Sequence, residues 1–175
     1  VKKVEKLLEY RNLKEIQEYL NKAEMSSDIL IHYLYTLQAL ATYYMYNAHD
    51  GIKAKEILLH GKQVAENYVN KRNKITGSFD KLTSTEILSE LQIIQHLPQM
   101  YTRIIYSLAR SYIYTKEFDE GEKYFKLAKS LGLHLNLFEG YLSDISGFLI
   151  IEIERAKISI KEHQVEDAID KLKKV

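Results

Sequence analysis

One proline and seven glycines in 175 residues leave this chain few places at which to end a helix or turn a hairpin. A β-rich chain of this length needs turn residues every few positions, between short strands. Here apolar residues instead recur at i, i+3, i+4 and i+7 through nearly the whole sequence, the spacing that lays one stripe along a helix. The sequence therefore predicts an all-α chain. Its length is that of one domain and is enough to bury a substantial core.

Start and stop signals divide the pattern into about nine helices. Within residues 1–25, Val4, Leu7 and Leu8 form one stripe, and Leu13, Ile16, Leu20 and Ala23 form a second. The "SSD" at 26–28 offers side-chain oxygens to cap the next helix, "ILIHYLYTLQALATYYMYN". "AHDG" at 48–51 turns the chain into "IKAKEILLHGKQVAENYVNK". Residues 70–83 are polar and aperiodic, which predicts a mobile loop open to proteolysis. Thr83 and Glu86 have the spacing of a capping box ahead of a helix over 84–97. Pro98 suits the first turn of the following helix, where its missing N–H costs nothing. The partner of that helix covers 119–131, with Gly132 as its expected stop. One helix within 137–161 and another from about 164 complete the set.

Composition narrows the function classes. The formal net charge is +1, from 25 basic and 24 acidic side chains. Dedicated nucleic-acid surfaces carry a basic excess, so no direct nucleic-acid partner is expected. No apolar run approaches the roughly 20 residues of a membrane span, and "GFLIIEI" at 147–153 is interrupted by Glu152. No membrane partner is expected. The absence of cysteine removes thiol chemistry and fits a cytoplasmic setting. The opening Val1 and the closing "EDAIDKLKKV" read as parts of a longer chain.

The stretch "YSLARSYIYTKEFDEGEKYFKLAKSLGL", 106–133, alternates small and aromatic residues at fixed offsets. Antiparallel helices approach closely only where a small side chain admits the neighbouring backbone and a large one fills the space beside it. Ala109, Gly121 and Ala128 are the small positions, and Tyr112 and Phe125 the fillers. With Leu108, and with Ile105 in place of a leading Trp, this spacing resembles the tetratricopeptide repeat, whose unit is about 34 residues. Similar offsets occur at Val4, Leu7, Ile16, Leu20 and Ala23, at Thr42, Met45, Ala54, Leu58 and Gly61, and at Ala156, Ser159, Ala168, Leu172 and Val175. Equivalent positions Leu7, Met45, Tyr112 and Ser159 are 38, 67 and 47 residues apart, so the repeat is irregular. The resemblance implies a right-handed α-solenoid of antiparallel hairpins over 1–175. Its units are 1–25, 28–70, 98–132 and 137–175, with the helix 84–97 as an extra. Long irregular repeats of this kind resemble those of bacterial peptide-sensing transcription regulators and Rap-type phosphatase regulators.

No catalytic or metal motif is present in the sequence. The six histidines form no HExxH pair, and "HGK" at 60–62 lacks the remaining residues of a phosphate loop. There is no GxSxG elbow. "EFDEGE" at 117–122 lies at a helix start, where negative charge favours the helix dipole. A non-enzymatic chain without cofactor or metal is expected. Its 14 tyrosines, against five phenylalanines and no tryptophan, supply rigid amphipathic contact area. The resemblance directs the first helix of each unit to a concave groove. The groove would then receive Glu5 and Glu9, then Tyr43, Tyr46 and Asn47, then Arg103, Tyr106, Arg110 and Tyr114, then Lys157 and Lys161. Arg103, Tyr106 and Arg110 share one helical face. The leading expectation is a protein–protein interaction domain that binds a peptide or extended segment, with acidic character, in that groove. The alternative is a signal-peptide-sensing regulatory domain. A third is a structural solenoid that self-associates.

Overall fold

In the computed structural model, residues 26–73, 79–145, 147–161 and 165–173 are described. They form eight α-helices and no strand: α1 (Ser27–Tyr46), α2 (Gly51–Asn73), α3 (Ser84–Leu91), α4 (Leu97–Tyr114), α5 (Phe118–His134), α6 (Phe138–Ile145), α7 (Gly147–Lys161) and α8 (Val165–Leu172). A 3-10 turn, Phe79–Lys81, precedes α3. None of these helices is long and apolar enough to cross a membrane. The two helices expected within 1–25 lie outside the described residues.

Local chemistry sets several boundaries. Ser26 caps α1 by accepting from Ile29 N–H at 3.4 Å. Asp50 Oδ1 accepts from Lys53 N–H at 2.9 Å and does the same for α2. At α3 the Thr83–Glu86 capping box is complete, each side chain accepting from the other residue's backbone N–H. Pro98 occupies the first turn of α4.

Four boundaries differ from the sequence expectation. The loop expected over 70–83 is shorter at both ends, since α2 runs to Asn73 and Phe79–Lys81 form the 3-10 turn. The helix expected over 84–97 stops at Leu91, and residues 92–96 turn the chain, with His96 in the left-handed region at φ 67. The helix expected within 137–161 is two, α6 and α7, which raises the count over this span from seven to eight. They meet where the Gly147 backbone comes against a ring, since a Cβ there would lie 2.9 Å from Phe125 Cγ. Gly132 does not end α5, which continues to His134. A Cβ at Gly132 would lie 2.4 Å from Gly140 Cα, so α5 and α6 cross with their backbones in direct apposition. Gly132 serves that crossing. Asn136, at φ 53, reverses the chain instead.

α1 packs on α2, α4 on α5 and α7 on α8, each a pair of helices joined by a short link. α4 also packs on both α1 and α2 and touches α6 and α7. Twelve of its eighteen residues are buried, which makes it the central helix. The core runs from Leu30, Leu34 and Leu37 of α1, through Ile57 and Leu58 of α2 and Ile104, Ile105 and Leu108 of α4, to Phe125 and Leu131 of α5. Ala109 and Ala128 are fully buried where α4 meets α5. A Cβ at Gly121 would lie 2.5 Å from Ile113 Cδ1, so Ile113 rather than an aromatic ring fills that gap. Tyr112 is half-buried and stacks on Tyr124 at 5.3 Å.

A polar network runs from the edge of this core to the surface at Asp80. Lys62 Nζ lies 2.9 Å from both Glu66 Oε1 and Asp80 Oδ1, and the buried Tyr101 hydroxyl donates to Glu66 Oε1 at 2.5 Å. A buried hydroxyl without a partner costs about 1–3 kcal/mol. Glu66 thus joins α4 to α2, and Lys62, paired with the same carboxylate, ties the 3-10 turn to α2 through Asp80. Phe79 anchors the same turn, its ring 6.1 Å from that of Tyr101.

Candidate functional site

A recess of about 270 Å³ opens where α1, α4 and α7 come together. Three segments far apart in sequence line it: Met45 and Tyr46 end α1, Arg110, Ile113 and Tyr114 end α4, and Ile150 and Glu154 belong to α7. Lys116 contributes from the link after α4, and Phe125 from α5. Met45, Ile113 and Phe125 are buried and form the inner wall. Tyr46 and Tyr114 stand at the rim, 43% and 42% exposed.

The rim is held in place by specific contacts. The Arg110 guanidinium lies 5.1 Å from the Tyr46 ring and 5.9 Å from the Tyr106 ring, a double cation–π arrangement. Partial burial pushes the Tyr46 phenol pKa up, opposed by the charge of Arg110. Tyr114 shares a hydrogen bond of 2.9 Å with His49 Nδ1 from the α1–α2 link. The Tyr114 ring also lies over Gly51, where a Cβ would come within 2.6 Å of its Cδ1. A residue larger than glycine there would displace the rim.

The expected site residues are divided among several environments. Tyr46, Arg110 and Tyr114 meet at the recess. Tyr106 is buried behind them, edge-on to Phe125 at 5.8 Å, and supports Arg110 from below. Tyr43 is half-buried against Tyr44 at 5.7 Å. Asn47 is exposed and closes α1, its backbone N–H donating to Tyr43 C=O at 2.8 Å. Arg103 is engaged elsewhere, with Nε 3.0 Å from Glu139 Oε1 on α6 and Nη1 donating to Tyr35 Oη at 3.3 Å. Lys157 pairs with Glu154 at 2.6 Å. The Lys161 side chain, Glu5 and Glu9 lie outside the described residues. Met45, Ile113, Lys116, Phe125, Ile150 and Glu154 line the recess, and the sequence pattern assigns none of them to a site; nor does it assign His49, which bonds Tyr114 at the rim. Ile150 sits in the apolar run "GFLIIEI", which the sequence marks only as too short for a membrane span.

No protein-family model, no curated protein and no solved structure matches this chain.

Proposed function

We propose that the chain is a non-enzymatic interaction domain that holds a peptide or extended partner segment across α1, α4 and α7. In this reading the helix pairs belong to an irregular solenoid of the tetratricopeptide kind, and the first helices of successive pairs share a ligand-facing side. One observation carries the reading: Tyr46, Arg110 and Tyr114, from two different pairs, meet Ile150 and Glu154 of a third around one recess. Tyrosine and arginine are the residues that most often dominate binding energy at interfaces. Tyr offers area at low entropic cost, and the Arg fork grips carboxylates and carbonyl oxygens.

Selection of a displayed random-peptide library on residues 1–175 tests this. Enriched peptides should bind at least about tenfold more weakly to a Tyr46→Ala/Arg110→Ala variant, the loss expected from truncating interface anchors. No enrichment, or peptides indifferent to the double variant, would overturn the reading.

A further inference from the structure

The composition of the recess specifies what kind of residue a bound peptide would insert. The inner wall of Met45, Ile113 and Phe125 is apolar, and Ile150 adds a half-buried edge. Its volume of about 270 Å³ lies at the lower limit of the roughly 300–1,000 Å³ of pockets that enclose a drug-sized ligand, and it has room for one large side chain. Charge at the rim is one-sided. Neither Arg110 nor Lys116 has a carboxylate partner among the described residues. Glu154, the one acid among the lining residues, is held by Lys157 at 2.6 Å. A cationic ligand would therefore meet two uncompensated positive charges, and an anionic one would find them available.

We propose that this recess is a subsite for one large apolar side chain of a bound peptide, and that Arg110 and Lys116 receive a carboxylate adjacent to that residue. The proposal rests on the peptide-binding reading above and adds the chemistry of the anchor. The carboxylate has two sources: an acidic side chain at the next position, or the free end of the peptide. In both cases the apolar group leaves water for the inner wall while the anion stays at the half-exposed rim. That division avoids burying a charge.

Four N-acetylated hexapeptides, each with a single leucine in a glycine–serine background, separate the cases. One has Leu followed by Glu with an amidated end, and one ends on Leu as the free acid. One ends on Leu as the amide, and one has Leu followed by Lys with an amidated end. Each is titrated into ¹⁵N-labelled residues 1–175 and followed by amide shifts. At least one carboxylate peptide should bind about tenfold or more tightly than the neutral amide, as charge-assisted hydrogen bonds imply. The Lys peptide should be weakest. Shifts should concentrate at Ile113, Lys116 and Ile150. Whichever carboxylate peptide binds more tightly identifies the source. Arg110→Gln, with its amide spectrum otherwise unchanged, should shrink the ratio of carboxylate-peptide to amide-peptide affinity, and Arg110→Gln with Lys116→Gln should abolish it. Equal binding of all four peptides, or shifts centred away from the recess, would sink this subsite while leaving peptide binding intact. No saturable shift from any peptide removes the subsite and, together with an empty display selection, the peptide-binding reading as well.

Discussion

At the scale of single residues, the tyrosines divide by what their hydroxyls reach. Tyr101 is fully enclosed and its O–H needs Glu66; Tyr46 and Tyr114 keep theirs at the rim. Tyr33 is half-buried and Tyr124 buried, and burial pushes both phenols from 10.0 up to about 12. The folded state therefore favours the protonated phenol. The resulting stabilisation is complete below pH 10 and is lost as pH rises through about 12. Denaturant midpoints measured across that window should fall more steeply for the wild type than for Tyr124→Phe. Equal slopes would show that Tyr124 does not carry this linkage. The sequence gives the number of tyrosines and the helical face of each, but their burial depends on which helix lies opposite. Hence Tyr106, expected in the groove beside Arg110, lies behind it against Phe125. Lys116 escapes the sequence reading for a related reason: it sits in a link, where helical periodicity assigns no face.

At the scale of elements, short-range signals were the most legible. The Ser26 cap and the Thr83–Glu86 box depend on groups three residues apart, and both are formed as expected. Gly132 was less legible because glycine both ends helices and lets them cross. Only the position of α6 decides between the two. Two substitutions separate these uses. Gly132→Ala drives a methyl into the Gly140 backbone at 2.4 Å and should cost about 1–3 kcal/mol or more through overpacking. At Gly61 a Cβ would meet Ile104 and Leu37 at an ordinary 3.5 Å. Gly61→Ala should therefore stabilise by about 0.4–1 kcal/mol, by restricting the unfolded chain. Thermal melts of the two variants should move in opposite directions. If both fell equally, Gly61 too would lie at a backbone crossing.

At the scale of the whole molecule, α4 links the halves: it packs on the first pair, on its own partner and on the helices that follow. Arg103 and Arg110 project from this one helix and should behave differently. Arg103 ties α4 to Glu139 of α6 and to Tyr35 of α1, so Arg103→Ala should lower stability by up to about 1 kcal/mol. Arg110 has aromatic neighbours and no ion pair among the described residues. Arg110→Ala should leave the melting temperature nearly unchanged while weakening a bound acidic peptide and flattening its salt dependence. Weaker binding from Arg103→Ala alone would reverse the assignment. The separation of their roles was not readable from the sequence, because Glu139 lies 36 residues beyond Arg103.

The links between helices carry a further consequence. His49, His96, Lys116 and Asn136 all adopt left-handed backbone conformations, whereas no described glycine does. The glycines other than Gly77, which lies outside the described residues, sit within or at the start of helices. Glycine's conformational tolerance is thus absent from the described turns, where it would relieve strain. An L-residue in the left-handed region gives up about 1–2 kcal/mol, and glycine's extra freedom in the unfolded chain takes back roughly 0.5–1 of that. His96→Gly, in an exposed turn remote in sequence from every recess residue except Arg110 and its neighbours on α4, should therefore raise the melting point modestly. For protein engineering, the fold has a margin for thermal hardening at its corners that requires no change to its core.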